Sequence, residues 1–306
     1  MARILTLTLN PALDLTVRMA RLAPGEVNRS ETMLTHAAGK GVNVAQVLAD
    51  LGHQVSVGGF LGAANPQAFD ALIASRGFGD AFIRVPGETR SNIKIAEQDG
   101  RVTDINAPGP LVSEQAQQEL LEMVAMIGRD FDAVVVAGSL PRGVSPQWFK
   151  HLLEALKNLG LKVALDTSGE ALRAGLQAGP WLVKPNTEEL AEALDNATDA
   201  VSQLHQLGVE HVVVSDGAAG VNWYSPGAAL HATPPKVSVA STVGAGDSLL
   251  AGMLHGLLGG DTPEQTLRRA TAIAAMAVTQ IGFGISDHAQ LARLESGVHV
   301  RALTEQ

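Results

Sequence analysis

Residues 241–260 have the sequence STVGAGDSLLAGMLHGLLGG, in which a glycine-rich turn leads into a long apolar run. The apolar run predicts a helix that begins at the turn. Gly244, Ala245 and Gly246 have little or no side chain, so backbone N–H groups can approach an anion closely there. The partial positive charge of a helix N-terminus also stabilises charge on a transferring phosphoryl group. The stretch therefore predicts an anion site at the start of a helix.

Asp247 stands at the start of the same predicted helix, beside the expected anion site. An ionised carboxylate next to a phosphate can accept the proton of an attacking hydroxyl group. An ordinary helix N-cap is the alternative, because Asp is preferred at that position. Two further glycine-rich turns favour the catalytic interpretation.

The second turn is AAGKGVN, residues 37–43. Gly39 and Gly41 flank Lys40 at a predicted helix start, which suits an anion cradle, and Asn43 could hydrogen-bond a sugar hydroxyl group. The sequence does not satisfy G-x-x-x-x-G-K-[ST], and neither turn completes G-x-G-x-x-G, so a P-loop and a dinucleotide site are not supported. A plain entry turn into a helix is the alternative interpretation.

The third turn is SDGAAG, residues 215–220, after a predicted strand. Lys184 ends another predicted strand, and Asn186 and Glu189 stand three residues apart at the start of the next helix. Side chains at this spacing share a face and could hold a hydrated Mg²⁺ through water. Acidic residues also favour first helical turns because of the helix dipole, so a structural role stays open.

From Ser113 onward, predicted helices and strands alternate with short connections, which is typical of an α/β protein with a mostly parallel sheet. The apolar run at 133–137 predicts a central strand that is covered on both faces. Ser139 follows this run at the carboxyl edge of the sheet, where open α/β sheets bind their ligands.

Two segments outside this pattern lack helical periodicity, about 13–37 and 89–106. The second alternates strictly before a Gly100 turn, which predicts a β-hairpin. Together the segments predict a small sheet that projects from the main domain, with Arg90 and Asn92 on one face. Solvated polar residues at a sheet edge are the alternative interpretation of this pair.

Composition narrows the class of protein. The 306 residues carry a net charge of −9, which argues against a nucleic-acid or anionic-membrane partner. The absence of cysteine excludes disulfides, thiolate nucleophiles and cysteine metal sites. The nine histidines show no metal-binding spacing, and the first residues lack the features of a signal peptide. We expect a soluble cytoplasmic protein without a membrane span.

Three motifs together resemble those of the ribokinase-like (phosphofructokinase B) sugar kinases: GAGDS at 244–248, AGKGVNVA at 38–45 and KPN-x-x-E at 184–189. The resemblance covers the chain from Thr8 to about Asp287. It implies a doubly wound α/β fold with a mostly parallel sheet, in a single kinase domain over residues 1–306. It further implies that the small sheet is a lid, which in this family often mediates dimerisation, so a homodimer is expected.

The resemblance also implies site residues by motif. Asp247 resembles the general base of the family, and Gly244, Ala245 and Gly246 resemble its anion hole. Residues that resemble substrate contacts are Asp14, Gly39, Lys40, Asn43, Arg90, Asn92 and Ser139. Residues that resemble nucleotide contacts are Lys184, Asn186, Ser215, Asp216, Gly217, Ala218, Ala219, Gly220 and Gly246. Glu189, with Asn186, would organise Mg²⁺ through water. The pair Ala218-Ala219 replaces a larger polar residue that relatives often carry, which bears on nucleotide affinity.

Within the family, four stretches most resemble the kinases of fructose 1-phosphate: TLNPALD at 8–14, the run at 36–45, GSLPRGVS at 138–145 and residues 241–248. The implied reaction is the ATP-dependent, Mg²⁺-assisted phosphorylation of D-fructose 1-phosphate at its C6 hydroxyl group. A kinase of fructose 6-phosphate or tagatose 6-phosphate is an alternative, because no spacing measures the distance from Arg90 to Asp247. A non-catalytic sugar-phosphate or nucleotide sensor is another, and the intact Asp247 argues against it.

Overall fold

The computed structural model describes residues 1–303. These residues form a ten-stranded sheet, a separate four-stranded sheet and helices that cover the larger sheet. The strands are β1 (Arg3–Thr8), β2 (Ala12–Met19), β3 (Thr32–Ala38), β4 (Gln54–Gly62), β5 (Gly79–Val85), β6 (Arg90–Glu97), β7 (Val102–Asn106), β8 (Ala133–Ala137), β9 (Lys162–Asp166), β10 (Leu182–Val183), β11 (His211–Ser215), β12 (Val221–Ser225), β13 (Ala228–Thr233) and β14 (His299–Ala302). The helices are α1 (Lys40–Asp50), α2 (Gln67–Arg76), α3 (Glu114–Ile127), α4 (Pro146–Asn158), α5 (Gly169–Leu176), α6 (Thr187–Ala193), α7 (Ala200–Gln206), α8 (Ala245–Gly259), α9 (Pro263–Ala277) and α10 (His288–Ser296).

The large sheet has the strand order β14-β13-β12-β11-β10-β9-β8-β1-β4-β5. The strands from β11 to β5 pair in parallel. Strand β8 is buried along its whole length, as its continuous apolar run predicts. Val135 packs into the core on one face of the sheet, whereas Val134 and Val136 pack into the core on the other. The predicted α/β class with a mostly parallel, doubly covered sheet is confirmed.

One edge of the large sheet differs from the sequence prediction. Strands β12, β13 and β14 are antiparallel, and none of them was expected. The sequence beyond Gly260 predicts only two helices, Thr262–Ile281 and Asp287–Glu295, yet β14 follows α10 and pairs with β13. The pairing joins segments far apart in the chain, and a four-residue strand has too little periodicity to be recognised alone. The helix predicted to reach Ile281 ends at Ala277.

The four-stranded sheet, here called the small sheet, has the order β3-β2-β6-β7. It is built from the two segments that were predicted to form a separate sheet. Hairpins β2–β3 and β6–β7 are antiparallel, and β2 pairs with β6 in parallel. Asp14 lies opposite Asn92 in this register, so both side chains lie on the same face.

Within residues 1–303, no helix has both the length and the apolar character that crossing a membrane requires.

Candidate active site

Helix α8 begins at the glycine-rich turn, as expected. Its N-cap is Gly244, whose φ of 84° lies in the left-handed region that favours glycine. A Cβ at this position would lie 2.5 Å from the ring of Phe283, so the turn also needs glycine for close packing. The first N–H groups of the helix have no acceptor within the helix and can meet an anion.

Asp247 lies in the first turn of α8 and is only 7% exposed. No side chain caps this helix, so the alternative that Asp247 is an N-cap is wrong. Its Oδ2 instead accepts a hydrogen bond of 2.8 Å from Nδ2 of Asn43, which is on α1. The contact joins the starts of two helices that are 204 positions apart in sequence.

The start of α1 is held against the end of β1. Its N-cap Gly39 has a φ of 130°, and a Cβ there would lie 2.7 Å from Cγ2 of Thr8. A Cβ at Gly41 would lie 2.5 Å from Oγ1 of the same threonine. The two glycines therefore let the backbone of the turn approach β1, which places Lys40 and Asn43 beside Asp247.

Asp166, at the carboxyl end of β9, brings two lysines together. Its Oδ1 lies 3.0 Å from Nζ of Lys40, and its Oδ2 lies 3.1 Å from Nζ of Lys184. The Asp166 side chain is fully buried and that of Lys184 is 5% exposed, whereas that of Lys40 is 39% exposed. A Cβ on Gly246 would lie 3.2 Å from Nζ of Lys184, so this amino group lies against the start of α8.

Charges in this cluster set the protonation of both carboxylates. Burial, assisted by the nearby charge of Asp166, raises the pKa of Asp247 to about 6. The hydrogen bond from Asn43 and the charges of Lys40 and Lys184 oppose this rise. Burial also acts to raise the pKa of Asp166, but the two lysines outweigh it and hold that pKa below its usual value. Asp247 is therefore an ionised carboxylate at neutral pH, with a pKa suited to accepting a proton.

The polar face of the small sheet carries three of the expected substrate residues. Nδ2 of Asn92 donates to Oδ1 of Asp14 at 3.2 Å, and burial raises the pKa of Asp14. The Arg90 guanidinium is tethered to the backbone, because its Nε and Nη2 donate to the carbonyl oxygen of Asn10 at 3.3 and 3.2 Å. Ser139 is exposed at the end of β8, and its Oγ accepts a hydrogen bond of 3.1 Å from Nδ2 of Asn10.

Three amide oxygens around these residues are buried without a partner within residues 1–303: Oδ1 of Asn10, of Asn43 and of Asn92. Buried polar atoms are normally hydrogen-bonded, because leaving one unpaired costs about 1–3 kcal/mol. These acceptors match a ligand with several hydroxyl donors.

The residues expected to contact nucleotide lie along the next strand ends. Ser215 forms an isolated parallel β-bridge with Asn186. In this bridge the N–H of Ser215 donates to the carbonyl oxygen of Pro185 at 3.1 Å. A short 3₁₀ turn at Gly217–Ala219 follows, and residues 216–219 are exposed. Gly220 is buried with a φ of 116°, and a Cβ there would lie 2.1 Å from the carbonyl oxygen of Ala232. The turn is thus an open backbone surface that begins beside Pro185 and Asn186.

Asn186 and Glu189 do lie together, and they bond to each other. Oδ1 of Asn186 accepts from the N–H of Glu189 at 2.7 Å, and Oε2 of Glu189 accepts from the N–H of Asn186 at 2.9 Å. This is a capping box at the start of α6. Among the described residues, no three His, Cys, Asp or Glu side chains cluster as a metal site. The second carboxylate oxygen of Glu189 stays outside the capping box.

The sequence interpretation missed two residues of the site. Asp166 ends the strand predicted at 162–166, but its role depends on two lysines that converge on it, Lys40 on α1 and Lys184 just after β10. Its position at the carboxyl end of a parallel strand was the available signal. Phe283 gave no signal, because it follows α9 and reaches the 244 turn only in the folded chain.

Known proteins resemble the whole chain. The sequence profile of the pfkB family carbohydrate kinases matches residues 7–290. The 1-phosphofructokinase of Vibrio cholerae is 46% identical over 98% of this chain and 97% of that protein. The 1-phosphofructokinase of Escherichia coli K12 is 45% identical over 98% of each. The crystal structure of Escherichia coli phosphofructokinase-2 in complex with fructose-6-phosphate superposes with a TM-score of 0.85 at 27% identity, covering 97% of this chain and 99% of that one.

Proposed function

The chain belongs to the pfkB family of carbohydrate kinases, and we propose that it transfers the γ-phosphoryl group of ATP to the C6 hydroxyl group of D-fructose 1-phosphate. The products are fructose 1,6-bisphosphate and ADP. The observation that carries this proposal is the buried Asp247 carboxylate, with a pKa of about 6, beside the open N-terminus of α8. The similarity to 1-phosphofructokinases at 45–46% identity supports the choice of sugar.

In the proposed reaction, Asp247 accepts the proton of the C6 hydroxyl group as its oxygen attacks the γ-phosphorus atom. The N–H groups at the start of α8 stabilise the charge that develops on the phosphoryl oxygens. Lys184 lies against Gly246 and so can pair with the same oxygens. The side chain of Lys40, on α1, is 39% exposed. It can therefore also approach the phosphoryl oxygens.

We assign sugar recognition to the polar face of the small sheet and the ends of β1, α1 and β8. Asp14, Asn43 and Asn92 would bind sugar hydroxyl groups, since two of these residues hold unpaired buried amide oxygens. Arg90 would bind the phosphate group at C1 of the sugar. Gly39, Lys40 and Ser139 complete this set of proposed contacts.

We assign nucleotide binding to Lys184, Asn186 and the turn from Ser215 to Gly220. The exposed backbone of this turn suits a flat base and ribose. For Mg²⁺, the single carboxylate oxygen of Glu189 outside the capping box fits an ion that arrives with ATP and keeps its own waters, rather than a cage of protein ligands. When bound, the ion would neutralise phosphate charge. The absence of cysteine suits the reducing cytoplasm, where we place the enzyme.

We also propose that the small sheet is both lid and dimer interface of a single kinase domain. The face opposite Asp14 carries a group of apolar side chains: Val17 pairs with Met33, and Ile93 lies between Leu15 and Ile105. Met33 and Ile105 are 63% and 52% exposed. Exposed apolar side chains on one sheet face favour burial against a second copy.

Two experiments test these proposals. The first measures ADP release from Mg-ATP with fructose 1-phosphate, fructose 6-phosphate, tagatose 6-phosphate, ribose and adenosine. We expect kcat/KM for fructose 1-phosphate to exceed that for fructose 6-phosphate at least about tenfold; equal or reversed values would identify a kinase of 6-phosphates, and no turnover a sensor. The second measures molar mass by light scattering for wild type, Met33→Lys and the polar-face control Thr16→Lys. We expect only Met33→Lys to yield monomer.

A further inference from the structure

A cavity of about 490 Å³ lies at the carboxyl ends of β1 and β8, next to the proposed reaction centre. Asn10 and Ser139 line it, and Arg142 projects from the loop that follows Ser139. The loop is tied to the reaction centre, because the N–H of Gly138 donates to the carbonyl oxygen of Asp166 at 2.9 Å. Ser139, which follows Gly138, therefore places the cavity beside the backbone of Asp166.

Arg142 is fixed in place but keeps its charge unpaired. Its Nε and Nη2 donate to the carbonyl oxygen of Gly109 at 3.1 and 2.8 Å. Its own carbonyl oxygen accepts from the N–H of Val112 at 2.9 Å. Nη1 takes no part in this tether, and no carboxylate within residues 1–303 forms an ion pair with Arg142.

The backbone segment that holds Arg142 also contacts Arg90. A Cβ on Gly109 would lie 2.7 Å from Oδ1 of Asn10 and 3.5 Å from Cδ of Arg90. The Arg90 guanidinium donates to the carbonyl oxygen of Asn10 and, at 3.5 Å, to that of Ala107. Two guanidinium groups are thus held by carbonyl oxygens of one short segment, residues 107–109.

We propose that Arg142 is a second cation for the phosphate group that the sugar substrate already carries, and that it makes this site selective for phosphorylated sugars. The inference rests on the proposed function, because it names a further contact of that substrate. Backbone carbonyls orient both guanidinium groups without neutralising them, so a dianion between them would gain two charge-assisted contacts. An unphosphorylated sugar would gain neither.

Glu170, on α5, also lines the cavity and provides a matched control. Replacing Arg142 or Glu170 by Gln removes one charge from the same cavity, with opposite sign. If only the electrostatic potential of the cavity mattered, the two variants would change the affinity for fructose 1-phosphate by similar factors in opposite directions. A direct contact with phosphate would give a large effect only for Arg142.

The test measures binding by calorimetry without nucleotide, using fructose 1-phosphate and D-fructose on wild type, Arg142→Gln, Arg142→Lys and Glu170→Gln. We expect Arg142→Gln to weaken fructose 1-phosphate binding at least about tenfold, with D-fructose affinity unchanged within about twofold, since one charge-assisted bond to a phosphate is lost. Arg142→Lys should recover part of the loss, and Glu170→Gln should change it less than about threefold. In turnover, KM should rise more than kcat falls.

The inference would be overturned if Arg142→Gln left the affinity for fructose 1-phosphate unchanged, or if it weakened the binding of fructose 1-phosphate and D-fructose equally. It would also be overturned if Glu170→Gln strengthened fructose 1-phosphate binding by as much as Arg142→Gln weakened it. If the substrate panel identifies another phosphorylated sugar, the proposed reaction fails and the same comparison is made with that sugar and its unphosphorylated form. The two failures are therefore distinguishable.

Discussion

The amino group of Lys184 lies 3.1 Å from the carboxylate of Asp166, and both side chains are buried. Asp166 also holds Lys40, so one carboxylate positions two cations beside Asp247. The charge on Asp166 raises the pKa of Asp247, whereas the lysine charges lower it. Removing either kind of charge should consequently shift the protonation of Asp247, in opposite directions.

This opposition gives the first prediction. In wild type, kcat/KM should rise with pH as Asp247 ionises near pH 6. Lys184→Gln should move this limb to higher pH, because Asp247 loses a stabilising cation. Asp166→Asn should move it to lower pH, because a neighbouring negative charge is lost. The measurement is the pH profile of kcat/KM for each variant.

Both substrates are phosphates that also titrate near pH 6, but their titration is common to all variants, so only differences between profiles count. Lys150→Gln is the control, because Lys150 on α4 forms its ion pair with Glu154 and with no carboxylate of the site. Shifts of the same sign in Lys184→Gln and Asp166→Asn would contradict the prediction.

A second prediction concerns the base itself. Asp247→Asn should lower kcat by roughly 10²–10⁴, the usual value of positioned acid–base catalysis, because an amide cannot accept the hydroxyl proton. The hydrogen bond from Asn43 can persist to the amide oxygen, so dissociation constants for sugar phosphate and ATP should change little. Steady-state kinetics and calorimetry measure the two effects. Turnover within tenfold of wild type would leave Asp247 without a catalytic role.

The same substitution should stabilise the protein, which is the third prediction. Burial raises the pKa of Asp247 from 3.8 to about 6, so the folded state disfavours its ionised form. The stability that this group contributes is fully present below pH 3.8 and is lost as pH rises through about 6. Asp247→Asn should therefore raise the free energy of unfolding at pH 8 by roughly 2–3 kcal/mol.

Urea unfolding of both proteins from pH 4 to pH 8 checks this. The gain in the free energy of unfolding should shrink toward zero as pH falls to about 4, because residue 247 is then uncharged in both proteins. A gain independent of pH would point to a change in packing instead of charge.

The fourth prediction concerns the turn that starts α8. Gly244→Ala should destabilise the protein by about 1–2 kcal/mol through its left-handed backbone alone, and by more through the contact with Phe283. Phe283→Ala should remove only the steric contact and not the backbone cost. The double variant should therefore recover part of the stability that Gly244→Ala loses. Chemical denaturation of the double-mutant cycle measures both parts.

Gly259→Ala is the matched control, since Gly259 is in the same helix and a Cβ there would have no neighbour within 4 Å. It should be neutral or stabilising by up to about 1 kcal/mol. Equal losses in Gly244→Ala and Gly259→Ala would show that glycine is not specifically required at 244.

A fifth prediction concerns the small sheet. If it closes over the sugar, amide hydrogen exchange at 89–106 should slow on addition of fructose 1-phosphate, because an ordered ligand reduces local opening. Helix α10, which lies outside the proposed site, provides the internal control. Unchanged exchange at saturating ligand would argue against a lid.

Much of this protein could be predicted from local sequence. The apolar run of β8 and the alternation of helices and strands predict a covered parallel sheet, because burial on both faces leaves a pattern in consecutive residues. The glycine turns at 39 and 244 predict helix starts that accept anions, because a left-handed or closely packed backbone requires glycine. The 89–106 segment of the small sheet shows the two-residue period of strands, whereas 13–37 shows only that it lacks a helical period.

Tertiary structure decided what depends on residues far apart in the chain. The pairing of β13 with β14, the contact of Asn43 with Asp247 and the placing of two lysines on Asp166 join positions that no local pattern connects. The same is true of the pKa of Asp247, since burial and neighbouring charges exist only in the folded state. Sequence thus determined which chemical groups are available and which elements carry them, and folding determined their distances, because hydrogen bonds and Coulomb interactions act only at short range in space.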